Sequence, residues 1–315
     1  MTLVDKKKYI IFSGTASKEL TKKLSVFLGL PLGIVEMDRF ANSEFRVRIP
    51  TKVKNKSCII VQTTNNPVSD NLLELFFLID ILRKSDAKEI IVVIPYFGYS
   101  RQHINFRSGE CVSTDIILKI ISTLGADKVI TVDFHNLESL KFAPVPVVNV
   151  SVLPFIATFI RKRFDVVNSI IVSPDEGGKE RAQVFADHFF DNKENRVVVV
   201  RKERDYSNIH KIKHIEDFTG KTNIQGKSVI LVDDICTTGR TLLSAINLCT
   251  KHKAKEIYAV IVHPDMDDPV LSLINNSALT KLFTTNTIEK ATLFAKYSSK
   301  IELLDISNEF GTDIA

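Results

Sequence analysis

The stretch Val229-Ile230-Leu231-Val232-Asp233-Asp234-Ile235-Cys236-Thr237-Thr238-Gly239-Arg240-Thr241 joins an apolar β-branched run, two carboxylates and a small polar turn. An amphipathic helix follows from near Leu242. The apolar run predicts a fully buried parallel strand. The turn from Thr237 to Thr241 offers backbone N–H groups and hydroxyls at a helix N-terminus, where unpaired donors and the helix dipole attract phosphate. Two bare carboxylates beside such a turn would repel phosphate. A sugar phosphate reconciles them: Thr237, Thr238, Gly239, Arg240 and Thr241 hold the phosphate, while Asp233 and Asp234 accept hydrogen bonds from vicinal hydroxyls, alone or with a metal. A strand ending in a solvated acidic turn is the plainer alternative, but the complete strand–acid–acid–turn–helix string favours ribose phosphate. Cys236, inside the turn, is either a site for oxidants or simply a small residue.

Three more strand ends carry chemistry-bearing residues. After Val129–Val132 come Asp133, Phe134 and His135. Strand alternation puts Asp133 and His135 on one side, where the histidine is either a metal or phosphate ligand or a structural imidazole. After Ser169–Val172, Asp175-Glu176-Gly177-Gly178 opens a helix. Asp175 alone reads as an N-cap, but Gly177 and Gly178 permit close backbone approach and suggest a second anion nest, with Asp175 holding a bridging cation. After Val197–Val200, the run Arg201-Lys202-Glu203-Arg204-Asp205 is either a solvated loop or a mobile cationic flap that closes over phosphates.

These residues need a scaffold of alternating strands and helices. Apolar runs at Tyr9–Phe12, Cys58–Gln62, Ile90–Ile94, Val129–Val132, Ser169–Val172, Val197–Val200, Val229–Val232 and Ile257–Val262 alternate with amphipathic stretches at Asn71–Arg83, Ser113–Leu124 and Lys179–Phe190. That alternation predicts an α/β fold of parallel sheets covered on both faces, with sites beyond the C-terminal strand ends. The chain looks doubled, and Pro144-Val145-Pro146 marks a boundary before a helix from about Pro154. Two similar α/β domains are expected, residues 1–150 and 151–315.

Composition fits a globular enzyme: 315 residues, 44% hydrophobic and 25% charged. The net charge of +5 suits an anionic substrate. No basic stripe interleaved with aromatics argues for nucleic acid, and no apolar run reaches membrane length. The N-terminus carries no apolar signal core. Cys58, Cys111, Cys236 and Cys249 are too widely spaced for a CxxC site and read as reduced thiols in a cytoplasmic protein.

Taken together, the motifs resemble those of the ribose-phosphate pyrophosphokinases, from about Tyr9 to Ile306. Arg39-Phe40-Ala41-Asn42-Ser43-Glu44 resembles the family's adenine-contacting loop. Pro95-Tyr96-Phe97-Gly98-Tyr99-Ser100-Arg101-Gln102 resembles the entry to its flexible ATP loop. Asp133-Phe134-His135 and Ser173-Pro174-Asp175-Glu176-Gly177-Gly178 resemble its metal and pyrophosphate sites, and Lys202 and Arg204 fall where it carries catalytic basic residues. His263-Pro264, Ile274-Asn275-Asn276-Ser277 and Thr285-Asn286 recur near its C-terminal end.

The resemblance implies two phosphoribosyltransferase-like domains and a pyrophosphoryl transfer from ATP to ribose 5-phosphate, giving phosphoribosyl pyrophosphate and AMP. It implies that Phe40 stacks on adenine, that Asn42 and Glu44 read the base edge, and that Arg101, Gln102 and His135 contact the triphosphate. Asp233, Asp234 and the loop Thr237–Thr241 would hold ribose 5-phosphate, and Lys202 and Arg204 would stabilise the transition state. Magnesium falls to His135 and Asp175; its preference for oxygen ligands favours Asp175. A homodimer or larger homo-oligomer is implied, with the adenine loop reaching a neighbour.

The departures are specific. His103-Ile104-Asn105 stands where the common sequence has an acid and basic residues. The Phe106-Arg107-Ser108-Gly109-Glu110 segment and the Thr237-Thr238-Gly239 turn look closer to the archaeal type. Lys52 and Lys54 replace residues of the regulated type, and no serine-containing tail follows Ile314. Weak or absent ADP allostery and little need for phosphate activation are therefore expected. Two alternatives share the sugar-phosphate loop: a phosphoribosyltransferase, and a non-catalytic regulatory homologue.

Overall fold

Runs of β-branched residues form the strands, and each is buried where helices cover both faces of its sheet. A computed structural model of the chain describes residues 8–105, 107–191, 197–204, 212–218, 223–312 and 314, without the side chains of 202–204, 212–217 and 310. The chain divides into two compact units.

Unit 1 comprises residues 1–151 with two short returns, 287–289 and 306–315. Its elements are β1 (Tyr9–Ser13), α1 (Lys18–Leu28), β2 (Glu36–Arg39), β3 (Phe45–Arg48), β4 (Ser57–Val61), α2 (Val68–Lys84), β5 (Glu89–Ile94), α3 (Ser113–Thr123), β6 (Lys128–Val132) and β7 (Val147–Val150). Five strands form a parallel sheet in the order β1-β4-β5-β6-β7, and β2 and β3 pair as a separate antiparallel hairpin. Every residue of β4 is buried. Phe12, Ile60, Leu75, Leu78, Ile79 and Val92 belong to the core that α2 closes over this sheet.

Unit 2 comprises residues 152–286 and 290–305. It contains α4 (Leu153–Arg161), β8 (Ser169–Ser173), α5 (Lys179–Phe190), β9 (Val197–Arg204), β10 (Ile212–Phe218), β11 (Ser228–Cys236), α6 (Arg240–Lys251), β12 (Glu256–Pro264), α7 (Asp268–Asn275), β13 (Lys281–Thr285), α8 (Ala291–Ala295) and β14 (Ile301–Leu304). Its seven-stranded sheet runs β10-β9-β8-β11-β12-β13-β14, parallel except for the antiparallel β9–β10 pair. Val172, Val229, Leu231, Ala245 and Ile246 sit in its core. The last helix, α9 (Ser307–Gly311), packs on α1 in unit 1, and Glu289 accepts the Leu20 N–H at 2.8 Å. A division at 150/151 misses this return because it is made by a few residues with no periodic pattern of their own.

Three local expectations change. The strand carrying the acid pair does not stop at Val232: β11 pairs with β12 through Asp233↔Ile261 to Cys236↔Pro264. Through Arg204 the charge run after Val200 is strand rather than loop, because β10 supplies a partner, with Ile215 opposite Lys202 and Ile212 opposite Arg204; Asp205 lies outside the described residues. By contrast β6 does end at Val132. Asp133 takes φ +38°, so strand alternation cannot place Asp133 and His135 on one face.

Candidate active site

Within unit 2, the candidate residues gather at the C-terminal ends of β8 and β11, which are direct neighbours in the sheet. Asp233 and Asp234 lie in β11. Each first binds the backbone that follows it: Asp233 Oδ1 accepts the Asp234 N–H at 3.0 Å and Asp234 Oδ1 accepts the Ile235 N–H at 2.9 Å.

The guanidinium of Arg181, on the first turn of α5, bridges both carboxylates, with Nη1 3.4 Å from Asp233 Oδ1 and Nη2 3.1 Å from Asp234 Oδ2. Sequence reasoning passed over Arg181. Its signal was its position three residues after Gly178, one turn into the helix that the glycine pair opens. The same cation answers the problem of two acids beside a phosphate turn, because it neutralises charge in place.

Burial and the neighbouring Asp234 carboxylate push the Asp233 pKa well up; Arg181 pulls it back and Asp175 adds to the rise. Only 5% of the Asp234 side chain is exposed, against 16% for Asp233. Asp233 is thus the more accessible acceptor.

Past β11 the chain bends through Thr237 and Thr238, both exposed, to Gly239. Gly239 adopts φ +70°, and a Cβ there would stand 2.9 Å from Val270 Cγ1. Both facts select glycine. Gly239 caps α6, which starts at Arg240, so the helix opens directly onto this turn. Arg240 is exposed and Thr241 half-buried. Burial, and then the Asp233 charge, push the Cys236 thiol up to about 12, despite the opposing Gly239 backbone N–H. The thiolate is therefore suppressed, and the small-residue reading of Cys236 stands.

After β8, Asp175 Oδ1 accepts the Gly178 N–H at 3.1 Å, so the plain capping role is real. The Ser173 hydroxyl donates to the Asp175 carbonyl at 2.7 Å. A Cβ on Gly178 would come within 2.7 Å of Ser173 Oγ, whereas one on Gly177 would meet nothing nearer than Asp175 Oδ1 at 3.5 Å. Gly178 is dictated by packing; Gly177 keeps its face open. Lys202 and Arg204 lie on β9, beside β8; their side chains are outside the described residues.

Within unit 1, Phe40, Asn42 and Glu44 occupy the tip between β2 and β3. The Phe40 N–H donates to the Glu44 carbonyl at 2.8 Å, and Asn42 Oδ1 accepts the Glu44 N–H at 3.3 Å. Phe40 is 53% exposed, which leaves aromatic surface for stacking. Arg39 anchors the hairpin: its guanidinium lies 4.0 Å from the Phe45 ring centroid and binds Asp70 of α2 at 2.7 Å.

Arg101 and Gln102 follow β5, and His135 follows the adjacent β6. Gln102 Oε1 accepts from the Ser113 hydroxyl at 2.8 Å. The rings of His103 and His135 lie 5.8 Å apart. Burial and then His135 lower the His103 pKa, opposed in part by the backbone of Ser100 and Arg101. Asp133 accepts from the Ser151 hydroxyl at 2.6 Å. A buried carboxyl, Glu74, sits behind β1 and accepts both the Thr15 N–H and hydroxyl, at 2.6 and 2.5 Å. Its pKa is raised by burial, against the pull of those bonds.

Among the described residues, no three His, Cys, Asp or Glu side chains converge as a metal cage, and no helix is long and apolar enough to cross a membrane. Each unit is a phosphoribosyltransferase-type α/β layer structure; Arg101, Gln102, His135, Asp175 and the Asp233–Thr241 stretch lie at or beyond the C-terminal ends of sheet strands, whereas Phe40, Asn42 and Glu44 sit on the separate hairpin and Lys202 and Arg204 within β9. Residues 9–125 match the N-terminal domain of ribose phosphate pyrophosphokinase and residues 154–288 the phosphoribosyl transferase domain.

A ribose-phosphate pyrophosphokinase of Bacillus subtilis is 33% identical over 89% of this chain and 85% of its own length. One from Xylella fastidiosa is 35% identical, over 91% and 87% respectively. The crystal structure of phosphoribosylpyrophosphate synthetase from Mycobacterium smegmatis has the same fold, with TM-score 0.87 over 98% of this chain and 97% of that one, at 24% identity. The chain belongs to the ribose-phosphate pyrophosphokinase family.

Proposed function

We propose that the chain transfers the β,γ-pyrophosphoryl group of ATP to the 1-hydroxyl of ribose 5-phosphate, giving phosphoribosyl pyrophosphate and AMP. The observation that carries this reading is the β11 cradle: an acid pair neutralised by Arg181, directly followed by a glycine-capped helix start. The 5-phosphate binds Thr237, Thr238, Gly239, Arg240 and Thr241, at the start of α6, where backbone donors and the helix dipole favour an anion. Asp233 accepts from a ribose hydroxyl. Asp234, nearly enclosed, holds Arg181 and the Ile235 N–H, so the pair presents one accessible acceptor at a fixed angle.

On the donor side Phe40 stacks on adenine, Asn42 and Glu44 read its edge, and Arg101, Gln102 and His135 meet the triphosphate. The 1-hydroxyl oxygen bonds to the β-phosphorus as the bond from that phosphorus to the α–β bridging oxygen breaks. AMP leaves with the bridging oxygen, and the hydroxyl proton passes to solvent. Positioning and neutralisation of the equatorial oxygens supply most of the rate in such transfers, a role we assign to Lys202 and Arg204.

The donor set of unit 2 suits magnesium. Asp175 and Asp233 are close enough for one charge to raise the other's pKa, and magnesium takes one or two carboxylates with water and phosphate oxygens completing its shell. Asp175 would hold the ion, with the Gly177–Gly178 backbone facing pyrophosphate; His135, in unit 1, offers magnesium only a nitrogen donor. Bound there, magnesium would neutralise phosphate charge. The mainly buried thiols and the phosphorylated substrates fit a cytoplasmic enzyme, and we expect a homo-oligomer with the adenine hairpin contributed to a neighbour.

The test is AMP release from ATP and magnesium that depends on ribose 5-phosphate. No AMP, together with base-dependent consumption of phosphoribosyl pyrophosphate, would assign a phosphoribosyltransferase instead.

A further inference from the structure

His103, in the loop after β5, forms a cross-loop hydrogen bond with Asn136, in the loop after β6. Asn136 Oδ1 accepts the Glu138 N–H at 3.0 Å. Its amide nitrogen, Nδ2, is therefore the group 2.9 Å from His103 Nε2, and it donates to a ring nitrogen that must accept. Flipping the amide would forfeit the Glu138 bond. The proton of the neutral ring accordingly sits on Nδ1, which is buried and interacts with the backbone of Ser100 and Arg101.

We propose that His103 is a positioning residue that, through Asn136, locks the Arg101–Gln102 segment after β5 to the His135 turn after β6. The opposite side of the segment is tied as well: Ser113 donates to Gln102 Oε1 at 2.8 Å and Thr114 Oγ1 donates to the Tyr99 carbonyl at 3.0 Å. Arg101 lies between these two anchorages with its side chain exposed. Asn136 directly follows His135, so the bond sets the spacing of two loops that begin on neighbouring strands. A neutral imidazole acceptor thereby does the tethering. The inference rests on the reading that Arg101, Gln102 and His135 contact ATP.

Asn136→Asp keeps the oxygen that accepts from Glu138 and deletes the donor to His103; His103→Ala deletes the acceptor. Each is expected to raise KM for ATP roughly three- to tenfold, the scale of one intramolecular hydrogen bond, with KM for ribose 5-phosphate unchanged. The double variant should be no worse than either single one, and His103→Gln, which retains an acceptor, should recover most of the loss. Amide deuterium exchange over residues 98–102 should quicken in both single variants, a readout independent of turnover. Unchanged KM for ATP in both singles, additive losses in the double variant, or unaltered exchange overturns the proposal. A wild-type protein that releases no AMP refutes the proposed reaction, while the exchange result still decides whether the tether exists.

Discussion

Arg181→Met removes the one cation that bridges Asp233 and Asp234 and leaves a side chain of similar length. The guanidinium is 11% exposed and its carboxylate partners 16% and 5%, so solvent does little to compensate the loss. Breaking a buried ion pair from one side typically costs about 3–5 kcal/mol; contacts of 3.4 and 3.1 Å put this pair at the lower end. About 3 kcal/mol lowers the melting temperature of a domain this size by roughly 6–12 °C.

The pH dependence has a definite sign. Asp233 has its folded pKa raised, with Arg181 the influence that opposes the rise. A raised carboxylate favours the folded state below its unfolded pKa and loses that contribution as pH climbs through the folded pKa. Without Arg181 the folded value rises further, so the variant should lose more stability near about pH 8 than near about pH 5. Thermal melts of wild type, Arg181→Met, and Arg181→Met combined with Asp233→Asn measure this directly. The double variant should recover part of the loss because one of the two buried charges, and its repulsion of Asp234, is gone. A shift below about 2 °C, or an equal loss at both pH values, refutes the electrostatic account of the pair.

Gly239→Ala should cost about 1–2 kcal/mol from the left-handed backbone alone, and should raise KM for ribose 5-phosphate while leaving that for ATP in place; an unaltered sugar KM would show that this turn does not hold the 5-phosphate. Lys202→Ala should lower kcat about 100- to 1000-fold, the usual scale for loss of one transition-state contact, with ATP affinity retained in equilibrium binding; near-normal turnover removes Lys202 from the mechanism. Native alkylation followed by intact mass should add one group, at exposed Cys111. Burial pushes the thiols of Cys58, Cys236 and Cys249 up to about 12, and labelling of Cys236 at a comparable rate would contradict that burial.

The strands were legible because continuous β-branched runs between turn residues allow few other readings, as at Cys58–Val61 and Val229–Val232. The hairpin Glu36–Arg39 with Phe45–Arg48 was not. Its residues are mostly polar and exposed, and what holds it is the Arg39 contact to Phe45 and Asp70, a tertiary fact with no local period. The extension of β9 through Arg204 was hidden for a related reason: a charged stretch reads as strand only once β10 is known to pair with it.

The acid pair shows the same division more sharply. Local sequence identified the problem, two carboxylates at the mouth of a phosphate turn, but not its solution. The compensating cation lies some fifty residues earlier, on a helix opened by a different motif, and the ion contacts join the two. Gly178 explains why that helix can begin so near: a Cβ there would stand 2.7 Å from Ser173 Oγ, so the chain turns tightly off β8 and reaches Arg181 within a turn. The Gly-Gly pair therefore has two duties. Gly177 leaves backbone open beside Asp175, while Gly178 sets the start of α5 and thereby the reach of the guanidinium to β11. On this argument Gly178→Ala should damage ribose 5-phosphate binding as well as pyrophosphate binding, because it displaces the residue that keeps Asp233 and Asp234 compatible with an anion. Separate equilibrium measurements with ribose 5-phosphate and with inorganic pyrophosphate decide the point: weakened pyrophosphate binding with intact sugar-phosphate binding would confine Gly178 to its own loop and break the link to the acid pair.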